Sequence, residues 1–123
     1  MTTASQRCAA MLAAASAVTA LVGTRYWPDK ADTDSPALPY ITWQTISEVR
    51  NDHINGPGTG KRARIQINCY ATTRAGADAL GNAVEAAAST YRPGRVVLRQ
   101  SSFEFDSQIY STLIDWSTSI PNP

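Results

Sequence analysis

The sequence is short of most things that catalysis needs. Of its 123 residues, 17% are charged, against roughly 25% in an average soluble domain. A thinly charged surface leaves more area free to face another protein. There is one histidine, His53, and two cysteines, Cys8 and Cys69. Two cysteines do not make a disulfide scaffold. Cys8 falls in a predicted helix and Cys69 in a predicted strand, so both are expected as buried free thiols. No CxxC, HExxH or calcium-loop spacing occurs. Asp29, Asp32 and Asp34 recur without the glycine and terminal Glu of a calcium loop, and read as a solvated acidic turn. No metal and no cofactor are expected.

Formal net charge is +1, which lacks the basic excess typical of nucleic-acid binders and gives no reason to invoke an anionic membrane. Nine of the eleven basic residues are Arg, a side chain enriched at protein interfaces. Gly56-Pro57-Gly58-Thr59-Gly60-Lys61 imitates a phosphate loop and fails. Arg62 stands where Ser or Thr is needed, and a strand follows in place of a helix. The pair Asp52-His53 could orient an imidazole as a general base. It lies in a glycine-rich tip that holds a side chain poorly, and no nucleophile accompanies it. A solvated or interface histidine is the plainer reading. The chain is expected not to be an enzyme.

What the sequence does contain is pattern. Thr2 to Gly23 is Ala-rich, and Cys8, Met11, Leu12, Ala15, Val18 and Val22 fall on one face at helical spacing. Gly23 stands where a helix stop belongs. A secretory leader is the competing reading of this stretch, but Ser5, Gln6, Ser16 and Thr19 dilute it, and the run is too short and mild to span a bilayer. Residues 24–38, with Pro28 and Pro36, read as an extended linker. Tyr26 and Trp27 are expected to pack back on the core.

Pro39 to Arg50 reads as a strand with Tyr40, Thr42, Gln44 and Ile46 on one face. Ile41, Trp43, Thr45 and Val49 fall on the other. Lys61 to Ala71 alternates strictly: Ala63, Ile65, Ile67, Cys69 and Ala71 against Arg62, Arg64, Gln66, Asn68 and Tyr70. Between them, Asn51 to Gly60 carries turn-forming pairs and reads as a long hairpin loop. Thr73 to Tyr91 is a helix N-capped by Thr73, with Ala77, Leu80, Val84, Ala87, Ala88 and Tyr91 as its apolar stripe. Arg95 to Phe105 and Gln108 to Ser117 are two more strands, with Val97, Phe103 and Phe105 sharing parity. Residues 118–123 form a polar tail. The expected fold is one α+β domain spanning 1–123. It has a mostly antiparallel four-stranded sheet, packed by an N-terminal and a central helix, with a long β-hairpin loop.

The order of these elements resembles a known family. An Ala-rich helix ends in Leu21-Val22-Gly23-Thr24-Arg25-Tyr26. A proline-led strand follows as Leu38-Pro39-Tyr40-Ile41-Thr42-Trp43. After the glycine loop comes Ala63-Arg64-Ile65-Gln66-Ile67-Asn68-Cys69-Tyr70, then an Ala-rich helix from Ala75 and a closing strand from Tyr110 to Trp116. Over Met11 to Trp116 this looks like the tail-completion or tail-terminator proteins of long-tailed bacteriophages. The resemblance implies a structural virion protein at the tail neck, assembled in the host cytoplasm. It implies a typically hexameric ring on the head-proximal end of the tail tube, which stops tube growth and meets the head. The implied partners are copies of the chain, the tail-tube protein and a head-side neck or connector protein, with passive contact to lumenal DNA as a further expectation. The candidate assembly interface is Asn51, Asp52, His53, Ile54, Asn55, Gly56, Pro57, Gly58, Thr59 and Gly60, with Arg62 and Arg64 at its base. A head-closure or adaptor role in the same neck is one alternative. A small secreted binding domain is another.

Overall fold

A computed structural model describes residues 3–31, 37–50, 60–91 and 94–121. Its elements run α1 (Ala4–Ala14), α2 (Ser16–Val22), β1 (Tyr26–Pro28), β2 (Tyr40–Arg50), β3 (Gly60–Ala71), α3 (Arg74–Thr90), β4 (Gly94–Glu104) and β5 (Ile109–Pro121). The strands form one sheet in the order β1-β2-β3-β5-β4. The α+β class is as expected. The sheet has five strands where four were expected, and it is mixed, because β1 pairs parallel to β2.

β1 arises inside the expected linker. Ile41 donates its N–H to Arg25 O, and Asp29 donates to Trp43 O, so the chain is stitched along the edge of β2. Three residues are too few for any periodicity to announce a strand. Tyr26 packs beside Trp43 against the core, as expected. Trp27 instead leans on Tyr40 on the opposite side of the sheet.

The N-terminal helix is two helices. The axis turns by 87° at Ala15, whose backbone is extended (φ −92°, ψ 102°) and caps both ends of the break. Thr3 starts α1 with a reciprocal capping box with Gln6. Gly23 stops α2 at φ 61°, a conformation that favours glycine. The expected apolar face survives the bend: Cys8, Met11, Leu12, Val18 and Val22 are all buried. α1 lies on the sheet and α2 turns aside onto α3. Among the described residues, no single helix is long and apolar enough to cross a membrane.

The three helices cover one face of the sheet. Ile41, Trp43, Ile65, Ile67, Cys69, Ile114 and Trp116 meet Leu12, Leu80, Val84 and Ala88 in a single apolar cluster. Its polar atoms are matched. Trp43 Nε1 donates to Ser5 Oγ at 3.0 Å, Trp116 Nε1 to Ala88 O at 3.1 Å, and Thr112 Oγ1 to Ala77 O at 3.1 Å. Cys8 and Cys69 are both free and buried, as expected.

Two β-bulges change the expected faces. One lies between Thr45 and Ser47 in β2 and the other between Val96 and Leu98 in β4. An inserted residue reverses the parity of everything beyond it. Val49, expected with Ile41 and Trp43, therefore pairs with Arg62 away from the core and is 60% exposed. Val97 is exposed on its bulge, with no register partner in β5. The expected tail is also partly strand: β5 continues to Pro121 beside Gly60, and Thr118 is buried.

Gly81 is where α3 comes closest to the sheet. A Cβ there would lie 2.7 Å from Thr112 Cγ2 and 3.1 Å from Arg99 Nη2. Gly→Ala inside an open helix gains about 1 kcal/mol. Here overpacking reverses the sign. Gly81→Ala is expected to lose about 1–2 kcal/mol in urea unfolding. Adding Thr112→Ser removes the obstructing methyl, keeps the hydroxyl, and is expected to recover most of that loss.

Candidate functional site: the open face of the sheet

Among the described residues, nothing covers the face opposite the helices. Strict alternation in β3 puts Arg62, Arg64, Gln66, Asn68 and Tyr70 on it. β5 adds Ser111, Leu113, Asp115, Ser117 and Ser119, each opposite one of these. Beyond β5, β4 brings Arg95, Leu98, Gln100 and Ser102. The face is polar but not solvated at random. Arg64 Nη2 lies 2.7 Å from Asp115 Oδ2, and Asp115 is nearly buried beneath it. Gln66 Nε2 donates to Asn68 Oδ1 at 3.3 Å.

The two ends of the face differ. At the end where β3 closes, Tyr40 stacks on Tyr70 with ring centroids 4.8 Å apart, and Trp27 lies 6.1 Å from Tyr40. Partial burial, then the neighbouring Tyr70 and Glu104, hold the Tyr40 hydroxyl above its ordinary pKa. At the other end, Arg62 and Arg95 flank a cleft of about 230 Å³, floored by Gly94, Ser117 and Ser119. Among the described residues neither guanidinium has an ion-pair partner. Arg64 beside them is already matched by Asp115.

The expected site residues divide accordingly. Asn51, Asp52, His53, Ile54, Asn55, Gly56, Pro57, Gly58 and Thr59 lie outside the described residues. β2 and β3 flank them as an antiparallel pair, with Arg50 opposite Lys61. Gly60 is the first residue of β3 and not part of the loop. Arg62 and Arg64 share the open face, as their spacing predicts. Sequence reasoning missed Arg95 and Asp115. Asp115 left a signal, a carboxylate between Leu113-Ile114 and Trp116 in an otherwise apolar strand. Arg95 left none, because its neighbourhood depends on register across β5.

Among the described residues no cluster of three or more His, Cys, Asp or Glu is placed to hold a metal ion. The two thiols are sealed in the core. What the face offers is extended area, a stacked aromatic end and an unpaired basic end, which is the equipment of a contact surface.

No curated protein sequence matches the chain. A solved chain from the virion of a native gene transfer agent particle shares the fold, with TM-score 0.72 and 17% identity, over 94% of this chain and 92% of the other. The family model described as tail completion protein gp17 matches residues 6–113. That span takes in every element from α1 to the first half of β5, so the chain belongs to the tail completion protein gp17 family and is a virion tail component.

Proposed function

We propose that the chain closes into a ring of identical subunits on the head-proximal end of a phage tail tube. The ring ends tube growth there and gives the neck its joining surface. The observation that carries this reading is the family match over residues 6–113. The fold shared with a chain of a gene transfer agent virion supports it. So does the division of the sheet into a closed helical side and an open side. A subunit that repeats one contact with its neighbour makes a ring when the rotation closes and a filament when it does not. A terminator needs closure. It also needs one end that fits the tube and another that refuses a further tube subunit.

In this reading the role is structural and not catalytic. Asn51 to Thr59, which β2 and β3 flank, reaches a neighbouring ring or lines the channel. The test is tail length. Loss of the chain is expected to give overlong tails that do not join heads, scored by electron microscopy. A chain lacking Asp52 to Thr59 is expected to fold, as judged by circular dichroism, and to leave tail length uncorrected. Tails of normal length in the absence of the chain would overturn the reading.

A further inference from the structure

The β4–β5 turn is unlike any other described part of the surface. Phe105 is 85% exposed, the most exposed of the described large apolar side chains. It is not loose. Its ring meets Phe103 edge-on at 5.5 Å, and Phe103 in turn packs on Tyr110 at 4.6 Å. Glu104 and Asp106, both exposed, flank it on either side. Gln108 closes the turn at φ 55°. The result is an exposed aromatic residue that stands between two exposed acidic residues in the chain. A rigid, protruding aromatic is the usual anchor of a protein contact, because little freedom is lost when it docks.

The complementary surface is at the far end of the same strands. Arg62 and Arg95 flank their cleft without acidic partners among the described residues, over Gly94, Ser117 and Ser119. Arg95 and Glu104 are nine positions apart in β4, about 30 Å at the rise of a strand. One molecule cannot join the two ends. A second copy can. Two carboxylates beside an apolar ring match two guanidinia beside a glycine-floored cleft in charge and in number.

We propose that the Phe105 turn of one copy docks in the Arg62–Arg95 cleft of the next. Because donor and acceptor lie at opposite ends of one sheet, the contact is heterologous and repeats around a ring. The inference rests on the ring reading above and names the contact that builds it. DNA is the competing occupant of the two arginines. It leaves Phe105 and its flanking acids unexplained, and Asp115 already withdraws Arg64 from any basic stripe.

The experiment places one thiol at each end, Ser107→Cys in the turn and Ser119→Cys in the cleft. A short bismaleimide is applied to assembled tails and to the concentrated chain. Cys8 and Cys69 are buried and do not compete. The double variant is expected to give a covalent ladder beyond the dimer on a denaturing gel, where either single variant stops at the dimer. Adding Arg62→Glu with Arg95→Glu is expected to abolish the ladder. Adding Glu104→Arg with Asp106→Arg to that variant is expected to restore it, which separates contact from folding. A ladder indifferent to these charges, or none beyond the dimer, overturns the inference. If rings are then still seen on the tails, the ring reading stands without this contact. If no ring is seen, both fall. Charge reversal that leaves the ladder intact and weakens DNA retention overturns it in favour of DNA.

Discussion

Trp116→Ala is expected to lower the unfolding free energy by about 3–5 kcal/mol, the range for truncating a buried Trp. The whole stability of a domain is about 5–15 kcal/mol, so this is a large share of it. Trp116 is fully buried in β5. Its ring meets Tyr91 edge-on at 6.1 Å, and Gly94 lies so close that a Cβ there would be 2.6 Å from Nε1. Little of that wall can collapse into the space, because β4 and α3 are both pinned there. Trp116→Phe keeps part of the apolar contact and loses the N–H that serves Ala88 O. It is expected to cost about 2 kcal/mol, within the range for a buried acceptor left unmatched. Urea unfolding followed by circular dichroism reads both. The consequence reaches the open face. Asp115 and Ser117 are the neighbours of Trp116 in the strand, and their direction follows from the register that its indole fixes. An alanine variant that stays folded is therefore expected to weaken assembly as well.

Much of this fold is legible in the sequence where one face of an element is buried and its period is unbroken. β3 is the clearest case: five apolar residues alternate with five polar ones, and all five apolar residues are buried. α3 is another. Thr73 Oγ1 accepts from Gly76 N as an N-cap should, and of the predicted stripe Ala77, Leu80, Val84 and Ala88 are buried while Ala87 and Tyr91 pack half-buried against the core. The same rule explains the failures. Helical periodicity says which side chains share a face, not whether the axis continues. A bend at Ala15 that keeps Leu12 and Val18 in the core leaves no mark in the pattern. A bulge costs one residue and reverses parity, so Val49 shares a face with Ile41 and Trp43 by alternation and stands beside Arg62 in the structure.

The candidate surface was legible only where it is local. Arg62 and Arg64 share a face because they are two apart in one strand. The cleft that Arg62 forms with Arg95 needs the register of β3 on β5 and of β5 on β4, and the bulge at Val97 intervenes. The match of Arg64 to Asp115 is likewise a register fact across 51 residues. The Phe105 turn was visible as sequence. Its meaning depended on finding the ring exposed and braced, which alternation alone had placed with Val97.

Alkaline pH is expected to unfold the chain through its two thiols. Burial pushes the Cys69 thiol up to about 12 and the Cys8 thiol higher still, the nearby Cys69 adding to the latter. In the unfolded chain both return to about 8.5. Their folded pKa values are raised, so the stability tied to the protonated thiols is fully present below about pH 8.5. It is lost as pH rises from there toward the folded values. In that window the unfolded state has released protons that the folded state still holds, and stability falls with pH. Each thiol contributes about 0.7 kcal/mol per pH unit at pH 8.5, rising to about 1.4 well above it, so the pair is expected to remove roughly 3 kcal/mol between pH 8.5 and 10. Arg99 opposes the shift at Cys69 without reversing it. The measurement is the urea midpoint in reductant at pH 7.5 and at pH 10, for the natural chain and for Cys8→Ala with Cys69→Ala. The alanine pair is expected to be less stable at neutral pH, having lost two packed sulfurs, and to change far less between the two conditions. Equal pH dependence in both chains would mean that the core opens to solvent before the thiols ionise. The Tyr40 hydroxyl, itself held above its ordinary pKa, contributes in the same direction only above about pH 10, beyond the range compared. The two effects are therefore separable by pH alone, the core responding first and the aromatic end of the open face second.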